Sequence, residues 1–583
     1  MLTRREMIKL GVVSAPAILR FGRLRSPGWL FDGRDQPPSP PITPFQSGLP
    51  LPRAAPRVQD LRTKQAILAQ AVLEATQTRD TFAPAPVSQA LQDFLLAGAD
   101  FYDITMRRAK APILPGQMTE IWGYNGLFPG PTIVAMRGQP VVIRFTNQLS
   151  TLTESIQTVI HYHGGHTTPR SDGYPSDTIA PSDSRVFLYP NTSSRGASMW
   201  YHDHAEDVTG RNVYMGLAAF FILHPAPNDD DEIAMETHLP GGPTDPSTGM
   251  EKFDIPLVIQ DRLFDANNQL FYPPFEHDGV IGDTFLVNGG VQPFLDVEQR
   301  KYRLRFLNGS NARVYQLAFS ESSSDALNPL PLMQIGSDGG VLPKAMGRDS
   351  FLIAMAERIE VVFDFSQFPA GKNLYLVNCL QQTDGRGPDD FTPQACTPLI
   401  QFRVQTKGPE PDSPTIHDQD PMMALRNDAT RNIEEVMSPQ DAAATREFKF
   451  DRSHGGWAVN GDFFVHHVIT RDGEGREAKP TLGSVELWTL TNSSGGWVHP
   501  VHLHAEQFEL VDRNGVPPSP EEAGMKDTFY LGHGDTVRVM AKFVPQPDPW
   551  RASGNDNLGD YVFHCHNLEH EDMAMMGSFK LVP

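Results

Sequence analysis

Three stretches of the chain alternate apolar with polar or charged residues. They read VVIRF from position 141, YRLRF from position 302 and VELWTL from position 485. Alternation of this kind puts the apolar side chains on one face of an extended segment, so each stretch predicts a half-buried β-strand. An Asn-Gly pair precedes each strand and is typical of a tight turn. The pattern therefore predicts strand-rich units, and it occurs three times.

The three copies share one layout, with turn pairs at Asn125-Gly126, Asn288-Gly289 and Asn460-Gly461. A repeated all-β unit of roughly 130–160 residues indicates three β-sandwich domains in tandem. Pro-rich and acidic stretches lie between the copies. The organisation we predict is a leader at 1–25, an N-terminal extension at 26–95, β domains at 96–227, 251–406 and 446–583, and linkers at 228–250 and 407–445.

Two segments outside the repeats have helical character. Gln65 to Thr76 has helical spacing and predicts a helix in the extension, which we expect to wrap on the body of the protein. A short helix near Ala424 in the second linker is an open alternative.

Length and charge narrow the class of protein. A chain of 583 residues is too long for one hydrophobic core, and its 51 Pro and 48 Gly suit a turn-rich β protein. The net charge is −21, from 49 basic and 70 acidic residues. Such a surface repels nucleic acid and anionic lipid headgroups, which argues against both as partners.

The N-terminus carries a candidate targeting segment. Thr3 to Lys9 reads TRREMIK, and a mildly apolar run from Leu10 to Leu19 follows it. This resembles a twin-arginine export signal, and the run is too short for a permanent membrane anchor. We therefore expect export to the periplasm or the exterior; the alternative is a basic N-terminal helix with no export role.

The chain has three cysteines, which is too few for a disulfide scaffold. The sequence leaves open whether Cys379 and Cys396 form a bridge. Cys565 is then the odd one, and an odd cysteine calls for a search for metal ligands around it.

Histidines supply those ligands in a repeated pattern. The first and third copies each contain two His-x-His units, and the second copy has neither. Residues i and i+2 of a strand face the same side, so each unit directs two imidazoles at one place. If the two domains pack together, their imidazoles can enclose several ions, although imidazole alone does not name the metal. The eight residues are His161, His163, His202, His204, His502, His504, His564 and His566.

The third copy contains a second set. His499, Cys565, His570 and Met575 supply two imidazoles, a thiolate and a thioether, the ligands of a blue-copper electron-transfer site. The first copy has Thr158 where the third has His499, and Asp203 where the third has Cys565. The simplest interpretation is one mononuclear copper site plus one cluster between two domains.

The motifs HYHGGH, WYHDHA, HPVHLHAEQF and HCHNLEHEDMAMM resemble the four copper-binding motifs of three-domain multicopper oxidases. WGYNGLFPGPTI at 122–133 is similar to the branch that contains spore-coat laccase, bilirubin oxidase and phenoxazinone synthase. The resemblance covers about residues 96 to 583. It implies three cupredoxin-like Greek-key sandwiches and four copper ions.

Position by position, the resemblance implies a ligand set for each copper. Type 1 copper takes His499, Cys565, His570 and Met575, and type 2 copper takes His161 and His502. The type 3 pair takes His163, His202, His204, His504, His564 and His566. The implied activity is that of a laccase. Four one-electron oxidations of small reducing substrates are coupled to the reduction of one O₂ to two waters. The implied substrates are phenols and aromatic amines, with bilirubin-like pigments as a further option.

Three further residues follow from the resemblance. Cys565 provides the electron path, because its two sequence neighbours are cluster ligands. Oxygen reduction consumes protons, and Glu571 and Asp172 match the family's acids; the alternatives are an exposed carboxylate for Glu571 and a turn cap for Asp172. Glu206 departs from the family pattern, and its carboxylate could take part in proton transfer or perturb a type 3 copper.

The sequence leaves two other functions open. A cuprous-ion oxidase should carry a Met-rich segment, whereas the 20 Met of this chain are scattered. A copper electron-transfer protein without O₂ chemistry would need only the type 1 ligands, and the eight other histidines argue against it.

Overall fold

The computed structural model describes residues 38–76, 87–150, 154–192, 195–227, 229–273, 276–422, 437–519, 522, 524–545 and 558–583. The predicted leader at 1–25 and the segment around Ala424 lie outside these residues. The described residues form six β-sheets, which confirms the all-β prediction. Among them, no helix has the length and apolar character needed to cross a membrane.

The N-terminal extension lies against the first two domains. It contains the predicted helix and a second one, α1 (Leu61–Thr76) and α2 (Gln89–Gly98). Ile67 and Leu95 pack on the outer face of the first domain, against Val142 and Leu188. The segment before α1 is extended, and Leu49 N–H donates to a carbonyl of the second domain at 2.7 Å.

The first domain consists of two four-stranded sheets, ordered β2-β1-β4-β6 and β3-β8-β7-β5. Both sheets contribute to one core, as Phe145 and Phe187 from one meet Tyr201 and Phe221 from the other. The elements are β1 (Asp100–Ala111), β2 (Thr119–Tyr124), β3 (Ile133–Met136), β4 (Val141–Asn147), β5 (Ile160–His163), α3 (Pro169–Asp172), β6 (Ser184–Tyr189), β7 (Ala197–Asp203), α4 (Thr209–Met215) and β8 (Ala218–His224).

The second domain has sheets of seven and five strands, ordered β11-β10-β9-β13-β18-β15-β16 and β12-β20-β19-β14-β17. The structure forms the disulfide Cys379–Cys396, which the sequence left open. The elements are α5 (Asp230–Glu236), β9 (Asp254–Arg262), β10 (Thr284–Val287), β11 (Gly290–Val291), β12 (Phe294–Glu298), β13 (Lys301–Asn308), β14 (Tyr315–Ser320), β15 (Leu332–Ser337), β16 (Gly340–Arg348), β17 (Phe351–Ile353), β18 (Arg358–Asp364), a 3₁₀ turn (Phe365–Gln367), β19 (Asn373–Asn378) and β20 (Thr397–Gln405).

The third domain pairs a five-stranded sheet, β22-β21-β23-β27-β25, with a four-stranded sheet, β26-β24-β28-β29. Its core contains Phe448 and Trp488 from the first sheet and Phe563 and Phe579 from the second. The elements are a 3₁₀ turn (Pro439–Asp441), β21 (Ala444–Ser453), β22 (Gly456–Val459), β23 (Val485–Asn492), β24 (His499–Leu503), β25 (Phe508–Arg513), β26 (Thr528–Leu531), β27 (Thr536–Lys542), β28 (Gly559–Cys565), α6 (Leu568–Asp572) and β29 (Met576–Leu581).

The Asn-Gly turns explain why the sequence repeats where it does. Asn125, Asn288 and Asn460 have φ of 53°, 50° and 55°, in the left-handed region that Asn and Gly tolerate best. Each Asn side-chain oxygen accepts a backbone N–H from the neighbouring strand, at 2.9, 2.8 and 2.7 Å respectively. In each domain the alternating strand downstream of the turn, β4, β13 or β23, pairs in parallel with the domain's first strand. The three copies are therefore alike in topology as well as in sequence.

One predicted strand differs from expectation in its burial. All eight residues of β13 are buried, so this strand is not half-buried as its alternation predicts. Its charged face lies against the first domain instead of water. There Arg305 donates to both carboxylate oxygens of Asp254 and to Ser198 Oγ, and Arg303 donates to Glu360. Alternation shows that the two faces of a strand differ, but it cannot show that ion pairs cover the polar face.

The predicted linkers are also more ordered than their composition suggests. The stretch 228–250 contains α5, and its Glu236 accepts a hydrogen bond from Arg303 at 2.6 Å. In 407–445, Gly408 N–H donates to Glu298 at 2.8 Å. Glu236 and Gly408 therefore attach part of the first linker and the described start of the second linker to the second domain.

Candidate metal centre

Strand pairing brings the four His-x-His units together in pairs. His161 lies opposite His202 across β5 and β7, and His502 lies opposite His564 across β24 and β28. Imidazole rings from the first and third domains then stack on each other, with centroids 3.7 Å apart for His161 and His504. All eight side chains are at most 1% exposed. The two distant parts of the chain therefore meet, as the sequence requires.

His161 and His502 face each other across the domain junction. Each uses its outer nitrogen as a donor: Nδ1–H of His161 donates to the carbonyl of Asp172 at 2.6 Å, and Nδ1–H of His502 to that of Asp527 at 2.8 Å. A proton on Nδ1 leaves the lone pair on Nε2. The two Nε2 atoms are 3.2 Å apart. Two lone pairs so close repel each other unless a cation lies between them.

A second group consists of His204, His504 and His564. The Nε2 atoms of His204 and His504 each lie 3.2 Å from Nε2 of His564. On the outer side, Nδ1–H of His504 donates to Oδ2 of Asp172 at 2.8 Å. These three nitrogens have the same inward arrangement as the first pair.

A third group consists of His163, His202 and His566, with ring centroids 5.2 to 5.6 Å apart. Within the described residues, Nδ1 of His163, Nε2 of His202 and both ring nitrogens of His566 have no hydrogen-bond partner. A buried polar atom without a partner is costly, so it calls for a ligand.

The protonation of these rings suits metal ions. Burial, reinforced by the neighbouring imidazoles, lowers the pKa of His161, His163, His502 and His566 well below the usual range. It also lowers the pKa of His202 to about 3. The rings are therefore neutral at physiological pH, and a neutral imidazole is the form that binds a metal. The donor set fits borderline divalent ions such as copper.

A separate set lies in the third domain. Sγ of Cys565 is 3.3 Å from Nδ1 of His499 and 3.5 Å from Nδ1 of His570, and the two nitrogens are 3.1 Å apart. Their outer nitrogens are held by Ser494 Oγ at 2.8 Å and by the carbonyl of Asp278 at 3.2 Å. Such contacts orient ligand rings. This N₂S arrangement matches the predicted type 1 set.

Local structure fixes two of these ligands. The Asn567 side chain caps α6 by accepting from the backbone N–H groups of Glu569 and His570, which positions His570. Met575 is fully buried, and its backbone bonds to both His570 and Cys565, at 3.0 and 3.1 Å. The structure therefore places the thioether residue beside the other three.

The two predicted acids both contact the cluster. Asp172 ends α3, and Gly173 follows it at φ 93°, where a Cβ would lie 2.2 Å from the Ile160 carbonyl oxygen. Only glycine therefore lets this turn approach β5. Oε2 of Glu571 lies 3.1 Å from Nδ1 of His564, and Oε1 lies 3.5 Å from Nδ1 of His204.

Their acidities move in opposite directions. Burial raises the pKa of Asp172 well above its usual value. Burial also acts to raise the pKa of Glu571, but the imidazoles of His204 and His564 outweigh it and bring the pKa to about 2. Burial therefore favours the protonated form of Asp172, whereas the neighbouring imidazoles favour the ionised form of Glu571, and acid–base pairs show this divergence.

Sequence reasoning missed a buried group behind the cluster. Oδ1 of Asp527 lies 3.1 Å from Nε2 of His163, and Thr528 Oγ1 lies at the same distance. Asp527 in turn pairs with Arg358, which the second domain contributes. No motif marks these residues, because they are assembled from three domains. Glu206 is turned toward His466, and its carboxylate contacts Nε2 of that ring.

Comparison with known proteins assigns the class. Residues 105–228 and 470–583 each match a family model described as multicopper oxidase. The chain belongs to the multicopper oxidase family, and it is a copper-dependent oxidoreductase that uses O₂.

Individual relatives show which members of this family the chain resembles. A laccase from Bacillus stratosphericus is 33% identical over 545 residues, covering 83% of this chain and 95% of that one. A bilirubin oxidase from Albifimbria verrucaria is 33% identical over 490 residues, covering 82% and 76%. A crystal structure of laccase from Pediococcus acidilactici has a TM-score of 0.69 at 27% identity and covers 95% and 97%. The predicted cupredoxin-like fold is confirmed.

Proposed function

We propose that this oxidase is laccase-like and oxidises phenols and aromatic amines by single electrons, four for each O₂ reduced to two waters. The observation that carries the proposal is the position of Cys565. It belongs to the N₂S set, and its two chain neighbours, His564 and His566, belong to the eight-imidazole cluster. The two ligand sets are thus joined by a short covalent connection.

The ligand assignment follows the geometry of the rings. We assign a type 1 site to His499, Cys565, His570 and Met575, and a type 2 site to the facing pair His161 and His502. The two groups of three provide the type 3 sites, one with His204, His504 and His564, the other with His163, His202 and His566. Copper at these places supplies one-electron acceptance from the substrate and four-electron reduction of O₂.

Asp172 and Glu571 would manage protons at the cluster. Asp172 accepts from His504 through Oδ2, and its Oδ1 has no hydrogen-bond partner among the described residues. Glu571 lies next to His204 and His564 on another side. Each carboxyl group can therefore take up or release a proton within reach of the cluster while remaining buried.

Export by the twin-arginine route remains part of the proposal and rests on the TRREMIK segment and the apolar run after it. Expression of the full chain fused to a reporter, with Arg4 and Arg5 changed to Lys as the control, tests it. Accumulation of both fusions in the same compartment would contradict it.

The experiment that tests the function is Cys565→Ser. We expect the copper-loaded variant to lose the intense blue absorption, phenol oxidation and substrate-dependent O₂ uptake, while three coppers per chain remain. His533→Ala, an exposed histidine outside both ligand sets, is the control. A blue, active Cys565→Ser variant overturns the type 1 assignment. Oxidation of Cu⁺ without oxidation of any phenol by the parent would replace the substrate class by a metal ion.

A further inference from the structure

Two tryptophans lie between the type 1 ligands and the surface. The Trp457 ring packs on His570 with centroids 3.9 Å apart, and on Trp497 with centroids 5.2 Å apart. Trp457 is 1% exposed, whereas Trp497 is only partly buried. Trp457 Nε1–H donates to the carbonyl of His277 at 2.9 Å, which fixes the ring. The partly exposed Trp497 ring is therefore connected to His570 through one intervening ring, that of Trp457.

Two arginines frame this surface. The guanidinium carbon of Arg386 is 4.9 Å from the Trp497 ring centre, and that of Arg452 is 4.6 Å away. Arg452 also lies 4.5 Å from the Trp457 ring. Both side chains are exposed, and Arg386 is 60% accessible. The two belong to different domains and meet only at this place.

The charge balance around the pair is locally positive on an acidic molecule. In the part of the chain that the structure describes, the acidic group at ion-pair distance from Arg386 is Asp384, at 3.8 Å and itself 57% exposed. Within the described residues no carboxylate lies at ion-pair distance from Arg452. The chain as a whole carries −21 charges. Anions repelled elsewhere on the surface are thus attracted here, next to the type 1 ligands.

We propose that Arg386, Arg452 and Trp497 form a binding subsite for aromatic substrates that carry an anionic group, a carboxylate or a sulfonate. The guanidinium groups, which lie over the Trp497 ring, pair with the anion, and the part of Trp497 that they leave accessible packs against the substrate's aromatic ring. Gly495 lies two residues before Trp497, and a Cβ built on it would meet nothing within 4 Å, so the chain next to the subsite is open. The inference rests on the proposed function and names the substrate class that it favours.

The test compares acids with their esters. Sinapate and methyl sinapate share one phenol, so their kcat/KM ratio isolates the effect of the negative charge. In Arg386→Gln/Arg452→Gln we expect the acid-to-ester ratio to fall about tenfold, mostly through KM of the acid, with each single variant in between. The fall should shrink as salt is added. Arg471→Gln removes a charge from another exposed site, with 62% of the side chain accessible, and should keep the parental ratio.

Binding without oxidation provides the second readout. Cinnamate lacks a phenol, and its dissociation constant follows from quenching of tryptophan fluorescence in the copper-loaded protein, with methyl cinnamate as the uncharged partner. The double variant should bind cinnamate about tenfold more weakly and the ester unchanged. Equal ratios and equal cinnamate affinities in parent and double variant overturn the subsite. Failure of the parent to oxidise either sinapate or its ester instead overturns the proposed function, and the cinnamate measurement still decides the subsite.

Discussion

Replacing Arg358 by methionine removes the guanidinium group that forms an ion pair with Asp527 behind the cluster. Arg358 is 0% exposed and Asp527 is 1% exposed. Nη1 of Arg358 donates to Oδ1 of Asp527 at 2.8 Å, and Nε donates to the carbonyl of Ser198 at 2.9 Å. Methionine has a similar length but no donor. The substitution therefore leaves a buried carboxylate without its partner at the junction of three domains.

The magnitude follows from this burial. Breaking a buried ion pair by removing one partner costs about 3–5 kcal/mol, because the remaining charge stays desolvated. That corresponds to a factor of about 10² to 10⁴ in the unfolding equilibrium. Asp527 also contacts His163, so a shift of its carboxylate should move this imidazole. We expect lower stability and an altered cluster in the same variant.

The assay is urea unfolding of the copper-free protein, compared by transition midpoint because a three-domain chain need not unfold in two states. The control is Arg348→Met, a partly exposed arginine of the same domain. Adding Asp527→Asn to Arg358→Met should recover part of the loss, since an amide removes the unpaired charge. Copper content and the EPR spectrum of the loaded protein report on His163. A parental midpoint for Arg358→Met, or no recovery in the double variant, would refute the electrostatic reasoning.

Two further predictions concern the acids of the cluster. Glu571 is ionised in the parent and can accept a proton and pass it on, which Gln cannot do. The turnover of Glu571→Gln should therefore fall more steeply than the parent's as pH rises and protons become scarce, at unchanged copper content. Matching pH profiles would remove the proton role of Glu571. In Gly173→Ala the new Cβ would lie 2.2 Å from the Ile160 carbonyl oxygen, at a φ of 93° that favours glycine. The α3 turn must therefore shift, and we expect the copper content of the cluster to fall below three ions per chain. A fully loaded Gly173→Ala protein would show that the turn tolerates a side chain.

Much of this molecule could be predicted from spacing. Asn125, Asn288 and Asn460 marked three equivalent turns, and the structure gives all three the same hydrogen bond. The spacing of two residues brings both imidazoles of each His-x-His unit to the cluster, although only His161 and His163 both lie within a strand; His204, His504 and His566 follow the ends of their strands. Such signals are local, because the partner groups lie within a few residues or on the neighbouring strand.

The residues that could not be predicted make contacts across domains. Arg358 and Asp527 are 169 positions apart and have no motif, yet together they stand behind His163. Trp497 and Arg386 come from the third and second domains and contact each other near the type 1 ligands only after folding. Alternation in β13 likewise could not show that acidic groups from elsewhere in the chain cover its arginines. Sequence patterns therefore predicted the candidate ligands, which the structure brings together, but not the groups that orient them.

The first domain shows why histidine pairs alone do not make a type 1 site. Asp203 occupies the place on β7 that Cys565 occupies on β28. Its carboxylate accepts three hydrogen bonds, from the backbone N–H groups of Val159 and Ala205, both at 3.1 Å, and from Nδ2 of Asn212 at 2.9 Å. Thr158, at the position equivalent to His499, donates to a backbone carbonyl at 3.4 Å. Here the polar groups satisfy one another, whereas in the third domain the thiol and two imidazoles converge at 3.1 to 3.5 Å without enough donors among them. The same strand geometry thus closes on hydrogen bonds in the first domain and leaves a set of metal-ligating groups in the third, and the difference lies in a few side chains.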